Sequence, residues 1–125
     1  MADWDSYPNF SKEEFDCQET GSNDMRDSFL RLLQQLRDEL GEPIKITSGY
    51  RDPRHSIEAS KAAPGVHTRG LACDIACDGQ QAHRIVQIAI KLGFTGIGVA
   101  QRSGKPRFIH LDTFTGTPRP NIWSY

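Results

Sequence analysis

Leu71-Ala72-Cys73-Asp74-Ile75-Ala76-Cys77 is the stretch on which the fold turns. Successive side chains of a strand point to opposite faces. Alternation therefore puts Leu71, Cys73, Ile75 and Cys77 on one apolar face, and Ala72, Asp74 and Ala76 on the other. A carboxylate inside an otherwise apolar strand is costly unless a cation or several hydrogen-bond donors meet it. A metal ion is the better reading for Asp74, which makes this strand both a core element and the carrier of a site.

Working outward, the segments 44–48, 95–100 and 107–113 also read as strands. Ile97 and Val99 point to the core, with Gly96, Gly98 and Ala100 facing away. Ile109 and Leu111 do the same, leaving Phe108, His110 and Asp112 on the opposite side. A helix is expected over 24–40, where Met25, Phe29, Leu32, Leu33, Leu36 and Leu40 recur at three- and four-residue spacing. Ser22, Asn23 and Asp24 offer N-caps, and Gly41 a stop. A second helix is expected over 80–92, with Ile85, Ile88, Ala89 and Leu92 on one face and Gly93 at its end. The fold class is α+β: a small, mostly antiparallel sheet with helices packed on one face and a site in a groove on the other. Glycines and alanines on that second face would let an extended substrate lie close to the backbone.

His67 precedes Asp74 by seven residues, and His110 shares the face of Asp74. Two imidazoles and one carboxylate form the ligand set of a catalytic zinc site, whose fourth position stays open for water. If the three side chains converge, the protein is a hydrolase with Zn2+ as cofactor. Taken singly, each has a plainer reading. His67 would be a solvated turn residue, and His110 a hydrogen-bonded core histidine. His83, on the second helix, reads as exposed.

The 125 residues fit one domain, 1–125, able to bury an adequate core without disulfides. Fifteen Lys and Arg against sixteen Asp and Glu give a formal net charge of -1, which argues against a nucleic-acid footprint or an anionic-membrane stripe. No apolar run approaches the ~18 residues that cross a bilayer. The first twenty residues have neither the basic start nor the apolar core of a secretory signal, so the product is expected to stay in the cytoplasm unless something else releases it. Cys17, Cys73 and Cys77 are too few and odd in number for a disulfide scaffold, and Cys73 and Cys77 read as small core hydrophobes. Residues 49–70, rich in Pro, Gly, Ser, Arg and His, form a long irregular stretch of the kind that carries function. Trp4, Trp123 and Tyr125 are expected to pin the chain ends to the core rather than to stack on a ligand. A monomer is expected, since no surplus apolar face is left.

In order along the chain stand Asn9-Phe10-Ser11, Glu14-Phe15, Ile46-Thr47-Ser48-Gly49-Tyr50-Arg51, the span from His67 to Asp74, Gly96-Ile97-Gly98-Val99 and Phe108-Ile109-His110-Leu111-Asp112. This series resembles peptidase family M15, the zinc D-Ala-D-Ala carboxypeptidase and L-alanyl-D-glutamate endopeptidase group, and most closely its short single-domain branch of bacteria and phages. The resemblance implies zinc held by His67, Asp74 and His110, and hydrolysis of peptide bonds in peptidoglycan stem peptides. It implies that Arg51 stabilises a developing oxyanion or holds a substrate carboxylate. Ser48, Arg51 and His55 are the expected substrate contacts. Several members carry Glu or Asp three residues before the last zinc histidine, where this chain has Arg107, which accepts no proton. Asp112 is the candidate general base, with orientation of a zinc histidine as its competing role. Glu58 and His55 are further candidates. Relatives often carry additional cysteines near the segment where this chain keeps only Cys17, which is expected to be inert. Together with the missing signal, the resemblance points to a phage endolysin. A D-Ala-D-Ala carboxypeptidase, or a non-catalytic peptidoglycan-binding or virion module, are the alternatives.

Overall fold

The apolar face of the first helix decides its position, though not its start. In the computed structural model, which describes residues 2–55 and 65–125, α1 spans Asp27–Leu40 and buries Phe29, Leu30, Leu33, Leu36 and Leu40. It begins three residues later than periodicity suggests because Asn23 is occupied elsewhere. The Asn23 side chain accepts from Met25 N at 3.0 Å and donates to Lys12 O and Asp16, a local turn that competes with helix. Met25 is nevertheless buried in the core. The helix ends at Gly41, whose N–H donates to Arg37 O. Helix α2, Gly79–Leu92, buries Ala82, Ile85, Ile88 and Ala89 and ends at Gly93.

Among the described residues five strands form one sheet: β1 Lys45–Ser48, β2 Ala72–Ala76, β3 Gly96–Ala100, β4 Phe108–Asp112 and β5 Asn121–Ser124. Their order is β1-β2-β4-β3-β5. The first four pair antiparallel, and β5 runs parallel to β3. The sheet is thus mostly antiparallel, and the protein α+β. Strand β5 carries no alternating pattern, is largely exposed and follows Pro118 and Pro120, so nothing in its sequence announces it.

Cys73, Ile75, Ile97, Ile109 and Leu111 meet the helices in one core, as alternation requires. All three cysteines are free and buried. Burial pushes the Cys77 thiol up to about 11, which leaves it inert at neutral pH. The segment before α1 completes the core with Tyr7, Phe10 and Phe15, and Trp4 packs against Phe15 with ring centroids 5.3 Å apart. It also braces the site: Tyr50 N donates to Phe15 O at 2.8 Å, and Arg26 N donates to Gly70 O at 3.0 Å. Gly70 adopts φ +70°, and a Cβ there would lie 2.0 Å from Asp24 O. No other residue fits that junction.

Candidate metal centre

Strands β2 and β4 pair with Asp74 opposite His110 and Ala72 opposite Asp112. Directly opposite residues share a face, which is how two elements 36 residues apart deliver a carboxylate and an imidazole to one point. His67 arrives from the 3-10 turn Val66–Arg69, which Gly70 closes before β2 begins. His67 Nε2 lies 3.5 Å from Asp74 Oδ1, and His110 Nδ1 lies 3.0 Å from the same oxygen. One donor atom from each of the three falls within 4.8 Å of the others, and all three residues are buried. Bonds of about 2.0–2.2 Å at tetrahedral angles separate donors by about 3.3–3.6 Å. The sequence-predicted trio therefore converges to where modest side-chain shifts would let it hold a small divalent ion.

The outer nitrogen of each ring supports the same conclusion. His67 Nδ1 is 2.8 Å from the Gly49 carbonyl. A carbonyl only accepts, so Nδ1 carries the hydrogen and Nε2 is free to ligate. His110 Nε2 is 2.7 Å from Asp112 Oδ2. Asp112 is held as a carboxylate by the Arg119 fork, Nε to Oδ1 at 3.0 Å and Nη2 to Oδ2 at 2.9 Å. In the neutral His110 ring Nε2–H donates to Asp112, and Nδ1 is left facing Asp74. Burial pushes Asp74 up, but hydrogen bonds from His110 and His67 outweigh it and hold the carboxyl well below its usual range. Burial likewise opposes a charged His110, yet its bonds to Asp112 and Asp74 lift it above the ordinary histidine value. Asp112, raised by burial, is brought below its ordinary value by His110 and Arg119. The space between Nδ1 and Asp74 is one that a proton or a cation must fill.

The glycine face has a different use from the one expected. A Cβ on Gly96 would stand 2.3 Å from either Asp112 carboxylate oxygen. One on Gly98 would stand 2.8 Å from Trp123 Nε1 and 2.9 Å from Tyr125 Cε2. The two glycines seat the chain's own carboxylate and aromatics; they do not floor an open groove. Trp123 and Tyr125 are also corrected. They ride on and just beyond β5 over the site face, Trp123 with its ring 5.2 Å from His110 and Tyr125 5.1 Å from Phe108, and Tyr125 is 64 % exposed. Only Trp4 pins its segment to the core.

A cavity of ≈ 390 Å³ opens over the trio, bordered by Arg51, Arg119, Trp123 and Tyr125. A second, of ≈ 320 Å³, shares Arg51, Asp74 and Phe108 with it and includes Ser48 and His55. The three expected substrate contacts thus border connected space. His55 is buried, with Nε2 3.2 Å from Glu19. Asp112 stands on the far side of the His110 ring from the donor atoms and is fully buried. Arg107 points to a separate surface cleft, 3.6 Å from Asp78. His83 is exposed, and Glu58 lies outside the described residues. Arg119 was not anticipated: it sits between two prolines, with no periodicity or motif to mark it.

Fold and site together define a small α+β protein with the donor set of a catalytic metal centre. The family model for Peptidase M15 matches residues 8–112, and the chain belongs to that family. The family is one of peptidases, and the His67–Asp74–His110 group could hold a metal ion. No curated protein matches the chain.

Proposed function

We propose that the protein is a zinc metallopeptidase that hydrolyses peptide bonds in peptidoglycan stem peptides, working as an endolysin-type endopeptidase. The observation that carries this reading is the buried His67–Asp74–His110 trio, both of its rings turned by fixed outer partners, beneath a cavity lined by Arg51. Bound zinc supplies Lewis acidity, polarising a carbonyl and bringing the pKa of water toward ~7.

The chain's own residues do the rest. Arg51, anchored by its backbone N–H on His67 O at 3.2 Å, borders both cavities, where its guanidinium suits a carbonyl oxygen gathering charge or a carboxylate of the substrate. Ser48 and His55 line the neighbouring space and are assigned to hold the peptide. Trp123 and Tyr125 line the same cavity and offer aromatic surface to the peptide. For Asp112 the burial, the Arg119 fork and the contact with Nε2 support orientation of His110 over proton transfer from water. No described helix is long and apolar enough to cross a membrane. In the endolysin reading the protein is made in the cytoplasm, as a monomer, and meets the wall after release.

The test is digestion of defined peptidoglycan by zinc-loaded protein, followed by mass spectrometry of the muropeptides. New amine termini at internal stem or cross-link bonds are expected, and none with His67→Ala. Wild type and variant behaving alike would end the proposal. Arg51 beside the trio equally suits a terminal carboxylate, which favours D-Ala-D-Ala trimming as the second reading; loss of a single terminal D-Ala would select it.

A further inference from the structure

The segment 113–125 lies outside the family match, yet it touches the site at several points. Arg119, its side chain 11 % exposed, grips both oxygens of Asp112. Its guanidinium lies 4.9 Å from the Trp123 ring centroid and 5.7 Å from that of Phe114. Phe114 N donates to Asp112 Oδ1 at 3.2 Å. Arg69, at the end of the turn that carries His67, also stands against Phe114, 5.1 Å from its centroid. Trp123 in turn packs on His110, which also meets the His67 ring at 5.1 Å. Rings and guanidiniums thus form a row, Arg69, Phe114, Arg119, Trp123 and His110, that runs from one histidine-bearing element to the other.

We infer that Arg119 is a positioning residue for the metal centre: its fork fixes the Asp112 carboxylate so that Oδ2 meets His110 Nε2 and Nδ1 is aimed at Asp74 and His67. The argument is geometric. A carboxylate held at one oxygen can rotate about its Cβ–Cγ bond; one held at both by a planar guanidinium cannot rotate without losing two charge-assisted hydrogen bonds. The Asp112 plane sets the direction of Nε2–H, and the Trp123 and His67 rings packed against the imidazole limit its rotation. A partner that orients a ligating histidine typically contributes 10–100-fold in metal affinity. Arg119 acts one bond further out, through Asp112, and a lysine there would supply charge without the fork.

The inference rests on the metal reading above, so its test measures metal binding and not turnover. Zinc dissociation constants are determined by chelator competition for wild type, Arg119→Gln, Arg119→Lys and His110→Ala, with apo-protein melting recorded alongside. Arg119→Gln is expected to weaken zinc about 10-fold or more, with Arg119→Lys recovering part of the loss. Trp123→Leu, which removes one wall of the His110 ring, is expected to weaken it a few-fold. In 15N spectra of the zinc-loaded wild type, His110 should show Nδ1 as the ligating nitrogen. Affinity within twofold of wild type in Arg119→Gln, while His110→Ala loses zinc, would overturn the inference and leave the metal site standing. Should Arg119→Gln fail to fold, an unchanged affinity in Arg119→Lys would overturn it equally. A folded wild type that takes up no zinc would overturn the metal reading, and this inference with it.

Discussion

Asp112 is the residue at which two roles compete. Its carboxylate is fully buried, with Oδ2 2.7 Å from His110 Nε2. Asp112→Asn keeps the shape but offers an amide that can turn its NH2 toward the ring. We expect zinc affinity to fall about 10–100-fold with the apo fold intact, read by chelator competition. Full zinc affinity with abolished hydrolysis would instead make Asp112 the proton acceptor. Asp74 and His110 were legible because each carries its own signal, a carboxylate in an apolar strand and a histidine on the same sheet face; His67, in a loop, became their partner through the family resemblance. Arg119 was not, because its role depends on a partner seven residues away across two prolines, where the sequence shows no period. Far from the site, Tyr7 offers a pH test. Burial, followed by its hydrogen bond to Asp27, raises its phenol from 10.0 to about 12. The folded state therefore keeps a proton that the unfolded chain loses first. This contribution is complete below pH ~10 and is lost as pH rises through about 12. In Tyr7→Phe, denaturant-derived stability should decline less across that window; an identical alkaline slope would refute the assignment.

Among the elements, β3 shows why a strand carries glycine at two positions on one face. Gly96 and Gly98 stand opposite Asp112 and His110 across the β3–β4 ladder. At Gly96 a methyl group would displace a carboxylate that is engaged on both oxygens. Gly96→Ala is expected to lower stability by about 1–3 kcal/mol in urea titration and to weaken zinc binding in the same protein. Retention of both would mean that Asp112 has room to move. Periodicity located β1 through β4 and both helices within a few residues, since each buries a face whose spacing the chain must respect. It failed where other physics takes over. Asn23 diverts the start of α1 into a side-chain turn, and β5 gains its place by pairing with β3, not by any pattern of its own. The glycine face was read correctly as a place of close approach, but the occupant is the chain itself.

For the whole molecule, ligand linkage provides the measure. A metal that binds only the folded state stabilises by about 2.7 kcal/mol at a hundredfold excess over Kd. In a domain of this size that corresponds to a rise in Tm of roughly 8–16 °C. We expect zinc to produce such a rise, EDTA to reverse it, and His67→Ala to abolish it in calorimetry. An equal rise in His67→Ala would locate binding elsewhere. Asp74 and His110 share β2 and β4 with the core, one face each, so an ion bound there would reinforce the pairing of those two strands.

The strand order β1-β2-β4-β3-β5 also carries a consequence for dissecting the chain. Strand β5 lies at the sheet edge, paired with β3, and His67, Asp74 and His110 all precede it. A chain ended after Asp112 would therefore keep all three donor residues while losing the Arg119 fork and the Trp123 ring that pack against Asp112 and His110. The donor set and its outer support are thus separable along the chain at a single point.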